Sequence, residues 1–98
     1  VFDKMKQLMD MRKMAKVAEQ KMEEISVEKI ALGGKLRITV NGNLKVKALS
    51  IDESLLSPGQ KPTLEKALSV LITEAAETSK RQAATQAMEM MRGMNLGL

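Results

Sequence analysis

Gly34 to Asp52 constrains this chain most, because its side-chain pattern admits one kind of local structure. Leu36, Ile38 and Val40 alternate with Lys35, Arg37 and Thr39, and a period of two belongs to a strand with one buried face. Asn41-Gly42 then marks a chain reversal, since both residue types accept positive φ at low cost. A second run, Leu44 to Ile51, carries Lys45 and Lys47. The stretch reads as a β-hairpin.

A two-residue Asn41-Gly42 loop would pair Ile38 with Lys45 and mix apolar and charged side chains on one face. A three-residue loop, Asn41 to Asn43, pairs Val40 with Leu44, Ile38 with Val46 and Leu36 with Ala48. The expected turn is that longer loop or an equivalent bulge. Leu49 and Ile51 then fall out of phase, so either the strand bulges near Ala48 or both its faces are partly covered. Ser26 to Ile30 is a third strand candidate, because a lone two-stranded sheet is rarely stable.

Helical patterns flank the hairpin. Leu8, Met11, Ala15, Ala18, Met22 and Ile25 recur at spacings of three and four, an a/d seam, and Met5, Met9 and Met14 widen it. Asp3 is the expected N-cap. A helix over residues 3–24 is about 33 Å long, longer than a hairpin can cover, so it should meet another helix. Ser57-Pro58-Gly59 is a loop signal, and Pro62 suits a first helical turn. Leu64, Leu68, Leu71, Ile72 and Ala75 form an apolar face, continued by Ala83, Ala87, Met88 and Met91. The small, polar section from Ala75 to Ala87 needs a neighbour or frays. Gly93 is expected to end this helix, with residues 93–98 as a mobile tail. The plan is α+β in a single domain over 1–98. It comprises a helix over 3–24, strands over 26–31, 35–41 and 44–51, and a helix over 61–92.

Charge is unevenly spread. Residues 1–16 hold five cations against two carboxylates, residues 17–28 one against four, and residues 29–61 six against two. A basic end on the first helix favours an anionic partner, with ordinary solvation as the alternative. The Met richness reads either as core filler or as an adaptable groove for partner helices. No stretch approaches the roughly 18 apolar residues of a membrane span, and no signal-peptide core is visible. The lack of Cys fits a reducing compartment. The chain opens on Val, so an initiator is expected one place upstream.

Catalysis is not expected. Without His or Cys, the usual base, thiol nucleophile and soft metal ligands are missing. Asp52-Glu53 precedes Ser54 and reads as a turn or cap. Gly33-Gly34 lacks the strand-to-helix step of a phosphate loop. No metal, cofactor or small-molecule substrate is expected.

Several features in order carry a resemblance. The chain opens with Phe2-Asp3-Lys4-Met5 and a Met/Gln/Lys-rich helix. Gly33-Gly34 precedes Leu36-x-Ile38-x-Val40-Asn41-Gly42. Val46, Leu49, Ile51-Asp52 and Ser54-Leu55-Leu56 follow, then a Leu/Ala-rich helix with Leu64, Leu68 and Ala75. This set resembles the YbaB/EbfC family of nucleoid-associated proteins over nearly the whole chain. The resemblance implies a homodimer formed through the sheet and protruding helices. It further implies duplex DNA as partner, with weak or variable sequence preference, and a role in organising the nucleoid or modulating gene expression. The expected location is cytoplasmic and nucleoid-associated, with no membrane partner.

Phosphate contact needs cations on a rigid frame. The candidates are Lys4, Lys6, Arg12, Lys13 and Lys16 on the first helix, and Lys80, Arg81 and Arg92 on the second. On the sheet they are Lys45 and Lys47, with Arg37 opposite Lys47 in the preferred register. Leu8, Met11, Ala15, Ala18, Met22, Ile25, Ile38 and Val40 are the dimerisation candidates. Phe2 is the one aromatic residue, so there is no platform for stacking unpaired bases. Two 33 Å arms match one DNA turn of about 34 Å. The alternative is a dimeric scaffold or chaperone that grips partner helices through the Met-rich face.

Overall fold

The computed structural model describes residues 2–96. Alternation in the central stretch is satisfied by a three-stranded antiparallel sheet. Its strands are β1 (Val27–Ala31), β2 (Leu36–Val40) and β3 (Val46–Ile51), in the order β1-β2-β3. Helix α1 (Phe2–Glu24) precedes the sheet and α2 (Lys61–Leu96) follows it. Pro62 lies in the first turn of α2, where its missing N–H leaves no bond unmade. Helix α2 runs through Gly93 to Leu96, beyond the expected end, and residues 97–98 of the expected tail lie outside the described residues.

The register differs from the expected one. Val40 pairs with Val46, Thr39 with Ala48, Ile38 with Leu49 and Leu36 with Ile51. Lys47 therefore has no partner and is the extra residue of a β-bulge. That bulge, next to Ala48, brings Val46, Leu49 and Ile51 into phase with Val40, Ile38 and Leu36. The pairings of Val40 with Leu44, Ile38 with Val46 and Leu36 with Ala48 do not form. Arg37 consequently lies opposite Ser50 rather than Lys47.

The turn is built differently too. Asn41 N–H donates to the Lys45 carbonyl at 3.0 Å, and Leu44 N–H donates to the Asn41 carbonyl at 3.1 Å. The left-handed residue is Leu44, at φ 63°, as in a three-residue hairpin loop that ends on an αL position. Gly42 is required for a different reason. A Cβ there would lie 2.7 Å from the Met22 carbonyl oxygen, to which its own N–H donates at 2.8 Å. Positive φ occurs instead in the β1–β2 link, at Leu32, Gly33 and Gly34.

Leu36, Ile38, Val40 and Val27 are buried on one face of the sheet, with Leu55, Leu71 and Ala75. Leu64, Ala67 and Leu68 pack against this cluster from the first half of α2. Helix α2 lies across β1 and β2, leaving β3 largely uncovered. Hence Val46 and Leu49, on the inward face by register, remain 58% and 50% exposed.

Shape follows from helix length. The chain measures 66 × 24 × 16 Å with a radius of gyration of 19.1 Å, against about 13 Å for a compact domain of this size. Helix α1 and the second half of α2 leave the body together as an arm.

Two substitutions test the turn by thermal unfolding. Gly42→Ala should destabilise by about 2 kcal/mol, lowering Tm by about 10 °C, because backbone must move. Leu44→Asn should raise Tm by about 3 to 6 °C by relieving the left-handed strain.

Candidate nucleic-acid interface

The arm is a pair of helices running in opposite directions. Lys13, Met14 and Val17 line one flank of their seam with Met90 and Gly93. Met11, Met14, Ala15 and Ala18 line the other flank with Ala87, Met90 and Met91. Met14 and Met90 thus mark the line where the helices meet. Small Ala side chains allow the approach but bury little area, and both flanks stay open.

Helix geometry then places the cations. Arg12 and Lys16 lie two residues either side of Met14, so each is turned about 160° from it. They face away from α2, into solvent, as exposed groups. Arg92, two residues after Met90, is turned away from α1 by the same argument. Arg12 and Lys16 therefore occupy the outer side opposite Arg92 and do not converge with it within one chain. Lys4, Lys6 and Lys13 are exposed at intermediate angles, and Lys80 is exposed near the arm's base. Arg81, also near the base, donates through Nη2 to Thr78 Oγ1 at 3.3 Å.

The sheet cations are arranged otherwise. Arg37 Nη1 lies 3.7 Å from Glu28 Oε1, and its Nε donates to the Gly34 carbonyl at 3.4 Å. It is thus tied to its own sheet. Lys45 precedes β3 and Lys47 is the bulge residue, both exposed. Among the described residues the ion pairs are Arg37–Glu28 and Lys61–Glu65. None of the α1 cations takes part in one.

The apolar candidates separate into two groups. Ala18, Met22 and Ile25, near the body, are half-buried, whereas Leu8 and Met11 are 59% and 66% exposed. Ala15 is exposed as well. Ile38 and Val40 are taken up by the chain's own core at 2% and 5% exposure. Within the chain, the first half of α2 covers that face.

Sequence reasoning did not find the junction where the arm joins the body. There Ser79 Oγ donates to the Asn41 carbonyl at 2.7 Å, and both residues are buried. A hydroxyl among alanines in α2 was the available signal, but its partner is 38 residues away in sequence.

Asp52 is a cap. Its carboxylate accepts from Ser54 N–H at 3.0 Å and also from the Ser54 hydroxyl. The hydroxyl bond first and then the backbone bond hold its pKa below the ordinary 3.8, against a desolvation effect that outweighs the further lowering by the charge of Lys35. Its contribution to stability is present above the ordinary value and lost as pH falls through the lower folded one. Among the described residues no cluster of His, Cys, Asp or Glu could hold a metal. None of the described helices is long and apolar enough to cross a membrane.

The chain matches the YbaB/EbfC DNA-binding family over residues 1–98. It belongs to that family. A nucleoid-associated protein of Rhodopseudomonas palustris strain HaA2 is 30% identical over 99 aligned positions, spanning 95% of this chain and 93% of that protein. One from Nitrobacter hamburgensis is 29% identical, spanning 96% of this chain and 85% of that protein. The crystal structure of an uncharacterized protein from Helicobacter pylori superposes with a TM-score of 0.74 at 23% identity, covering 93% of this chain and 97% of that one. That likeness concerns the fold.

Ser54→Ala removes the largest of the bonds on Asp52. In an NMR pH titration the Asp52 carboxyl midpoint should lie below 3.8 in the parent chain and move upward in the variant.

Proposed function

We propose that the chain is a nucleoid-associated protein that binds duplex DNA as a homodimer. Phosphate contacts from the basic arm supply most of the affinity, and the bound protein modulates gene expression from the nucleoid in the cytoplasm. The observation that carries this reading is the arm itself. Lys4, Lys6, Arg12, Lys13 and Lys16 stand exposed on a helix that projects from the body, and among the described residues none of them forms an ion pair. Phosphates replace nothing at such groups except water and counterions. A duplex suits them better than single strands, for which stacking platforms are missing.

Dimerisation is supported by the apolar surface that one chain leaves open. Leu8 and Met11 on α1, Val46 and Leu49 on β3, and Met88 and Met91 on α2 are each at least half exposed. Surface of this extent, rimmed by charge, marks an interaction site. A second copy would also let basic groups from opposite sides of two arms face one duplex. The role of Ile38 and Val40 is then to hold the fold, not to meet the partner.

Exposure of Met5, Met9 and Met14 also favours a second reading, a scaffold or chaperone that grips apolar helices. Salt separates the two. With about six phosphates neutralised per dimer, log K for a random duplex should fall with log salt at a slope near −5. Replacing Lys4, Lys6, Arg12, Lys13 and Lys16 by Gln should move that slope toward zero and leave the sedimentation coefficient unchanged. A slope near zero for the parent chain contradicts phosphate contact and favours the apolar reading.

A further inference from the structure

The loop from Asn41 to Asn43 joins sheet, α1 and α2 by directed bonds. On one side Gly42 N–H donates to the Met22 carbonyl at 2.8 Å. Asn43 Nδ2 donates to the Glu19 carbonyl at 3.4 Å. Met22 carries one of the last carbonyls of α1, whose only local bond is from Ile25 N–H at 3.2 Å, three residues on. On the other side Ser79 donates to the Asn41 carbonyl at 2.7 Å, at the point where α2 leaves the core. The loop is stiffened from within, since Asn41 Oδ1 accepts from Asn43 N–H at 2.9 Å and from Lys45 N–H at 3.0 Å.

We infer that this junction is a clamp that sets the direction of the basic arm relative to the sheet, with Gly42, Asn43 and Ser79 as positioning residues for DNA contact. The inference rests on the reading of the arm given above. Helix α1 is exposed from Asp3 to Val17, so packing restrains its direction weakly. Beyond the clamp, Met and Ala surfaces meet without directed bonds and can slide. The lever is long. About 30 Å separates the clamp from the outer end of α1, so a tilt of about 10° moves that end by about 5 Å. An ion pair tolerates about 4 Å between its partners. A small error at the clamp is enough to take terminal cations off their phosphates.

The chain has no Cys, so engineered thiols can be labelled selectively. Gln7→Cys reports the outer part of the arm and Ser50→Cys the exposed sheet. Both carry spin labels, in protein diluted with unlabelled chain so that one intramolecular distance is read by pulsed dipolar spectroscopy. The distribution should be narrow in the labelled parent and broader by about 5 Å in the Ser79→Ala/Asn43→Ala double variant, which still melts cooperatively. Affinity for a random duplex should fall about fivefold, equivalent to one exposed ion pair, in that double variant.

A cooperatively melting double variant with the parent's narrow distribution overturns the inference. Asn43→Ala alone removes only the exposed 3.4 Å bond to the Glu19 carbonyl and serves if the double variant does not fold. Its distribution should also broaden, and an unchanged width overturns the inference equally. Broadening in a chain whose parent binds no duplex supports the clamp while removing the proposed function.

Discussion

A mismatch of lengths governs this molecule. Helix α2 has 36 residues and is about 54 Å long, whereas strands of five or six residues span about 17–20 Å. Leu64, Leu68, Leu71 and Ala75 find a sheet beneath them. From Ser79 onward there is none. Helix α1 meets the overhang, but Met and Ala seams bury too little to close a core, and the arm remains apolar on its flanks and charged outside. The body is stable in the ordinary way, through side chains removed from water. The arm depends on what it meets.

Much of the body was legible in the sequence. Strict alternation located β2, and the phase conflict at Leu49 and Ile51 signalled the bulge that Lys47 forms. The exact register was not legible, because moving an extra residue along a strand changes every pairing beyond it while leaving the local pattern almost intact. Nor was the left-handed Leu44, since Leu carries no composition cue for that conformation. Gly42 announced a turn, but its need comes from Met22, twenty residues earlier, and close approaches across such distances leave no periodic trace.

The candidate site was readable to a similar degree. Charge segregation pointed to α1, and Arg12 and Lys16 do stand on its outer side. Periodicity also traced an unbroken seam from Leu8 to Ile25, yet only the half nearest the body is covered. A repeat records which face is apolar and not where its neighbour stops. Ile38 and Val40 illustrate the same ambiguity from the other direction. Alternation marked them as facing something, and α2 of their own chain supplies it. Arg37 looked like a free cation until the register set it against Ser50 and beside Glu28.

Body and arm should therefore respond differently to DNA, and residue-resolved NMR reads that difference directly. Amide shifts followed during titration with a random duplex should change most from Lys4 to Lys16 and around Arg92, with Leu36 to Val40 unmoved. Changes centred on the sheet, or an arm that stays silent while DNA binds, would contradict the account.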